Sequence, residues 1–123
     1  MQNGANVIGS KLPERLAKRV AEGHWIRTAH RGAPQVAPGN SARAIQAAVE
    51  IGVDLVEVDV HATRDGKVVL WHDAEIIGAD GVERSIAHSS LIELQAIDIG
   101  DGQRVIDLSD AIEIVRGRAG LVF

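Results

Sequence analysis

The chain has 123 residues, with 13 basic and 17 acidic side chains and a formal net charge of −4. That balance, with no Tyr, one Phe and two Trp, excludes a nucleic-acid footprint and base-stacking platforms. No cysteine means no disulfide or thiolate metal site. No apolar run is long enough for a membrane span, and Met1 to Lys11 lacks a charged-then-apolar leader, so the expected location is cytoplasmic.

Met1 to Ser10 is rich in Gly and Asn and reads as mobile. Pro13 to Glu22 reads as a helix with a short apolar stripe of Leu16, Ala17 and Val20, so residues 1–22 form a tail and helix ahead of the main domain. Trp25 to Ala29 reads as a strand running into His30-Arg31-Gly32. Ala33 to Gly39 is a Pro-punctuated loop. From Ser41 to Gly52, apolar residues at Ala44, Ile45, Ala48, Val49 and Ile51 fit a helical face, with Asn40 or Ser41 as cap and Gly52 as terminator.

Leu55 to Val60 reads as the next strand, with Leu55, Glu57 and Asp59 on one face and three valines on the other. Two carboxylates on one face, roughly 7 Å apart along the strand, suit either an acidic solvent face or a divalent cation. Asp65-Gly66 marks a tight turn, and Val68 to Trp71 a third strand ending at His72-Asp73. Asp73 to Ser90 shows no convincing periodicity and reads as a long loop. Ser90 to Ile97 and Leu108 to Arg116 read as helices, the second capped by Ser109 and ended by Gly117. A fourth strand begins at Leu121.

Strand, helix, strand implies parallel pairing, and parallel α/β folds bind ligands at the carboxyl ends of their strands. His30, Glu57, Asp59 and His72 fall at or near such ends. His61 shares Asp59's parity and reads as a rim residue; His24 and His88 read as surface residues, and Asp65 as a turn former.

His30-Arg31-Gly32, Pro38-Gly39-Asn40-Ser41, Glu57-Val58-Asp59-Val60, Thr63-Arg64-Asp65-Gly66 and His72-Asp73, in this order and spacing, resemble the glycerophosphodiester phosphodiesterase family. The resemblance spans roughly residues 28–123. It implies an α/β fold, a (β/α)8 barrel of which residues 23–123 would supply roughly the first three to four strand-helix units. It implies metal-dependent hydrolysis of a small glycerophosphodiester to glycerol 3-phosphate and an alcohol. By position it makes His30 and His72 the catalytic pair, Arg31 a phosphate contact, and Glu57 and Asp59 ligands of Ca²⁺ or Mg²⁺. A related phospholipase D-like barrel and a non-enzymatic phosphate-binding module are the alternatives.

Two departures carry expectations. Gly39 stands where the family usually has Glu, which removes one carboxylate from the motif. The family's third acidic metal ligand is expected just past Phe123. A full barrel takes about 250 residues, so this chain is expected to be an N-terminal half, inactive alone. Completion of the half-barrel by a second copy is the less favoured alternative.

Overall fold

The computed structural model describes residues 7–8 and 12–123. In chain order the elements are β1 (Val7–Ile8), α1 (Leu12–Ala21), β2 (Thr28–His30), α2 (Ala42–Ile51), β3 (Leu55–Glu57) and β4 (Val60–Ala62). They continue with β5 (Val68–Leu70), β6 (Glu75–Ile77), β7 (Glu83–Ser85), α3 (Leu91–Gln95), α4 (Leu108–Val115) and β8 (Gly120–Val122). The main sheet has the order β1-β8-β3-β2, with β2, β3 and β8 mutually parallel and β1 antiparallel on the outer edge of β8. Most of the segment read as mobile lies outside the described residues, but Val7 and Ile8 are paired strand.

The helix between β2 and β3 forms for the reasons the sequence suggests. The Ser41 side chain accepts the Ala44 amide at the N-terminus. Gly52 closes the other end in the left-handed region, its amide reaching the carbonyls of Ala48 and Val49. Ala44, Ile45, Ala48 and Val49 are buried. Ile51, expected on the same face, is exposed, because six residues at 3.6 per turn carry it well round the helix from Ile45. The buried face meets Val56 of β3, Leu121 of β8, and Ala111 and Val115 of α4 in one continuous core. Each fully buried Ile or Leu side chain there contributes on the order of 1.5–3 kcal/mol.

Helix α1 docks differently from expectation. Val20 is exposed and Leu16 only half-buried. The helix is held instead by arginines: Arg19 Nε lies 3.1 Å from Asp54 Oδ1, and Arg15 donates to the Arg118 carbonyl at 3.0 Å. Asp54 is fully buried just before β3 and also accepts the Arg27 amide at 2.9 Å. An unpaired carboxylate there would be costly, so this pairing fixes α1 across the amino ends of the strands.

Other differences concern the strands. The first parallel strand starts at Thr28 and not at Trp25, which is 89 % exposed. The continuous alternation from Leu55 to Val60 hides a change of partner. β3 stops at Glu57, and Val60–Ala62 pairs antiparallel with Val68–Leu70 through the Asp65-Gly66 turn. Val68 to Trp71 is therefore a hairpin arm and not a barrel strand. The expected loop from Asp73 to Ser90 contains a second hairpin, β6–β7, folded on buried Ile76 and Ile86. Its arms are three residues each, too short to show a period. With Val69, Leu94, Ile97 and Val105 they make a second, smaller core. Helix α3 begins with a full capping box, Ser90 with Glu93. Helix α4 is capped by Asp107, whose side chain accepts the Asp110 amide, and not by Ser109.

Candidate functional site

Register brings the first candidates together. His30, Glu57 and Val122 are direct partners across the three parallel strands and form one row at their carboxyl ends. His30 Nε2 lies 3.3 Å from Glu57 Oε2. That oxygen is buried and accepts no hydrogen bond of acceptable geometry. With the His30 ring as its ion-pair neighbour and no hydrogen bond, that oxygen keeps the capacity to take a further ligand.

The turn after β2 supplies Arg31 in the left-handed region, at φ 60°. A bulky residue there costs on the order of 1–2 kcal/mol, strain of the kind found at ligand-binding turns. The surroundings enforce it. The Arg31 amide donates to the Glu57 carbonyl at 2.7 Å, and the Arg31 carbonyl accepts the Asn40 amide at 2.9 Å. Gly32 follows at φ 84°, with the backbone of Ala44 so near that a Cβ would sit 2.6 Å from its carbonyl carbon. The glycine of His30-Arg31-Gly32 is therefore a packing requirement of α2 against this turn.

Asp59 lies between β3 and β4. Arg31 Nε is 3.1 Å from its Oδ2. Asn40 donates from Nδ2 to the same Oδ2 at 3.1 Å and accepts the Asp59 amide on its Oδ1 at 3.1 Å. Gly39 makes room: a Cβ there would come within 3.2 Å of the Arg31 Cβ and 3.4 Å of its Cδ. The stem of Arg31 thus lies against Gly39.

His72 is linked to these groups through the main chain. Its neighbour Trp71 donates its amide to the Asp59 carbonyl at 3.1 Å. The His72 ring meets Asp73, Nδ1 to Oδ1 at 2.6 Å, and its carbonyl is 2.9 Å from His61 Nε2. Asp73 is suited to hold the ring with Nε2 outward. The structure therefore brings His30 to Glu57, and Arg31 and Asn40 to Asp59, while His72 contacts Asp73 and His61. Among the described residues no group of three or more His, Asp or Glu side chains is arranged to hold a metal ion. Asn40 is the site residue that sequence reasoning took only as a cap or motif member. Its 2 % exposure and positive φ were not legible beforehand. Asp65 is a turn former as expected, accepting the Thr63 hydroxyl and the Leu91 amide.

Residues 30–118 match the model of the glycerophosphoryl diester phosphodiesterase family. The chain belongs to that family. It is 31 % identical over 101 residues to the glycerophosphodiester phosphodiesterase of Caldanaerobacter subterraneus subsp. tengcongensis, a match covering 76 % of this chain and 42 % of that protein. A solved glycerophosphodiester phosphodiesterase from Agrobacterium tumefaciens superposes with a TM-score of 0.69 at 31 % identity, over 76 % of this chain and 43 % of that one. An Oleispira antarctica phosphodiesterase, solved in complex with the product sn-glycerol-3-phosphate, gives 0.66 at 31 % identity over 72 % and 38 %. The chain thus spans less than half the length of these relatives. Over the described residues its fold is a partial (β/α)8 barrel of three parallel strands and their connecting helices. Enzymes of this family often use a divalent metal. No helix among the described residues is long and apolar enough to cross a membrane.

Proposed function

We propose that this chain supplies the first strands of a site that hydrolyses a small glycerophosphodiester to glycerol 3-phosphate and an alcohol. The observation that carries the reading is the row at the strand ends. His30 faces a buried, orphaned Glu57 oxygen, and the strained Arg31 stands beside Asp59. The family supports the substrate class.

In this reading Arg31 keeps Nε on Asp59 and offers its two terminal nitrogens to a phosphate as a planar fork. His30 and His72 act as the acid–base pair. Asp73 holds Nδ1 of His72, which leaves Nε2 to exchange the proton. Glu57 and Asp59 supply hard oxygen ligands, and the orphaned Glu57 Oε2 fits such a role. Ca²⁺ or Mg²⁺ held there would stabilise charge on the phosphoryl oxygens. Two carboxylates are part of a ligand set, since Ca²⁺ takes about six to eight oxygens.

The test is release of glycerol 3-phosphate from glycerophosphodiesters with Mg²⁺ or Ca²⁺ present, assayed in the longest natural chain containing residues 1–123. Removing either His30 or His72 should cost at least 100-fold, at the lower end of general acid–base contributions. Full turnover in both His30→Ala and His72→Ala would refute the assignment. The 123-residue chain by itself should be nearly inactive, because three strands leave the site open to water and weaken its electrostatics.

A further inference from the structure

We propose that Asn40 is the positioning residue of this site, selecting which oxygen of Asp59 is presented to a cation. The inference rests on the functional reading above and extends it to a residue outside the expected catalytic and metal set.

The geometry is specific. Asn40 grips Asp59 twice, accepting its backbone amide and donating to Oδ2 of its side chain, both at 3.1 Å. Rotating the Asn40 amide by half a turn would break both bonds, so the two contacts fix its orientation. Arg31 Nε approaches the same Oδ2 at 3.1 Å. The Asn40 hydrogen bond and the Arg31 charge, which approaches without a hydrogen bond of its own, thus both act on Oδ2, and neither engages Oδ1. Asp59 needs such a hold because it sits where the chain leaves β3 for β4, outside either strand. Its main chain is anchored by neighbours: Val58 donates to the Val122 carbonyl and Trp71 donates to the Asp59 carbonyl. None of those bonds constrains its side chain.

Asn40 is itself built in. It is 2 % exposed, lies in the left-handed region at φ 65°, and donates its amide to the Arg31 carbonyl at 2.9 Å. Asn tolerates that conformation because its short polar side chain bonds locally. A cap role alone would not demand these contacts, since Ser41 caps α2.

The test is amide-resolved NMR of the 123-residue chain titrated with MgCl₂, wild type beside Asn40→Gly. Glycine keeps the positive φ and removes only the side chain. Partners that orient metal ligands typically carry 10–100-fold in affinity. Asn40→Gly should therefore bind Mg²⁺ at least tenfold more weakly while the β3 and β8 amides stay in place. In the wild type, the Asn40 side-chain NH₂ signals should shift with the Asp59 amide and give the same Kd. This second readout needs no variant to fold. A Kd within twofold of wild type in a folded Asn40→Gly would overturn the inference. So would silent Asn40 side-chain signals while Glu57 and Asp59 respond. If neither Glu57 nor Asp59 responds to Mg²⁺ in the wild type, the cation reading itself fails and the inference with it.

Discussion

Gly32 and Gly39 flank Arg31 in space but do different work, and alanine at each separates fold from site. At Gly32 the φ of 84° alone costs alanine on the order of 1–2 kcal/mol. The added Cβ would also stand 2.6 Å from the Ala44 carbonyl carbon, 2.7 Å from its oxygen and 2.9 Å from the Ile45 nitrogen. These are backbone atoms at the start of α2, so the helix must move, and overpacking of this kind costs about 1–3 kcal/mol. Together the penalty for Gly32→Ala is about 2–5 kcal/mol, a large part of the 5–15 kcal/mol that holds a typical domain. Gly39→Ala meets only the Arg31 side chain at 3.2 Å, at an ordinary φ. Its stability cost is expected below about 1 kcal/mol, the range of substitutions that avoid backbone clashes. Its effect is expected on Arg31: under the proposed function, displacing that side chain from Asp59 weakens phosphate binding. Urea unfolding followed by circular dichroism gives the stabilities, and titration with glycerol 3-phosphate gives the affinities. Gly32→Ala unfolding within about 0.5 kcal/mol of wild type, the spread of inconsequential substitutions, would refute the close approach of turn and helix.

Asp54→Ala should destabilise by about 1–3 kcal/mol, because it removes the acceptor of the Arg27 amide and the buried partner of arginines that are themselves partly exposed; a loss below about 0.5 kcal/mol in urea unfolding, the spread of inconsequential substitutions, would contradict its anchoring role. Burial first, then the charge of Asp107, holds the Asp110 carboxyl above the usual carboxylate range. A raised acid favours the folded state while protonated, so its contribution is full below the ordinary Asp range and is lost as pH rises through the raised value. Asp110→Asn should therefore raise Tm at pH 7 and leave it nearly unchanged at pH 3; equal shifts at both would be inconsistent with this origin. The 123-residue chain should bind Mg²⁺ or Ca²⁺ no more tightly than the millimolar range, given two carboxylates. Calorimetry showing tight one-to-one binding that Glu57→Gln abolishes would contradict that ligand count.

The residues of the proposed site stand out in the sequence because they sit in short contiguous motifs. His30-Arg31-Gly32 and Glu57-Val58-Asp59 lie at the ends of strands whose apolar partners alternate plainly, and α2 between them carries both of its caps in the sequence. The structure adds the reason for Gly32, a contact between distant backbone atoms that no local pattern encodes. The hairpin from Val60 to Leu70 escaped because alternation continues unbroken across Val58 and Asp59 while the hydrogen-bonding partner changes from Val122 to Trp71. Periodicity reports which face a residue takes, not which strand it pairs with. The Asp107 cap was missed because Ser109 is an equally good capping residue two positions on, and helix boundaries are the least certain part of any pattern. Asn40 escaped for a related reason. Its position before a helix explains an Asn adequately, and only the folded turn brings it to Asp59.

The central claim is that Glu57, Asp59 and Arg31 form one cation-and-phosphate site. A crystal structure with Mn²⁺ and glycerol 3-phosphate, read by the anomalous signal of the metal, tests it most directly. The account predicts a metal peak bonded to carboxylate oxygens of Glu57 and Asp59, with the phosphate on the terminal nitrogens of Arg31. A well-occupied metal that touches neither carboxylate, or a phosphate bound away from Arg31, would contradict it.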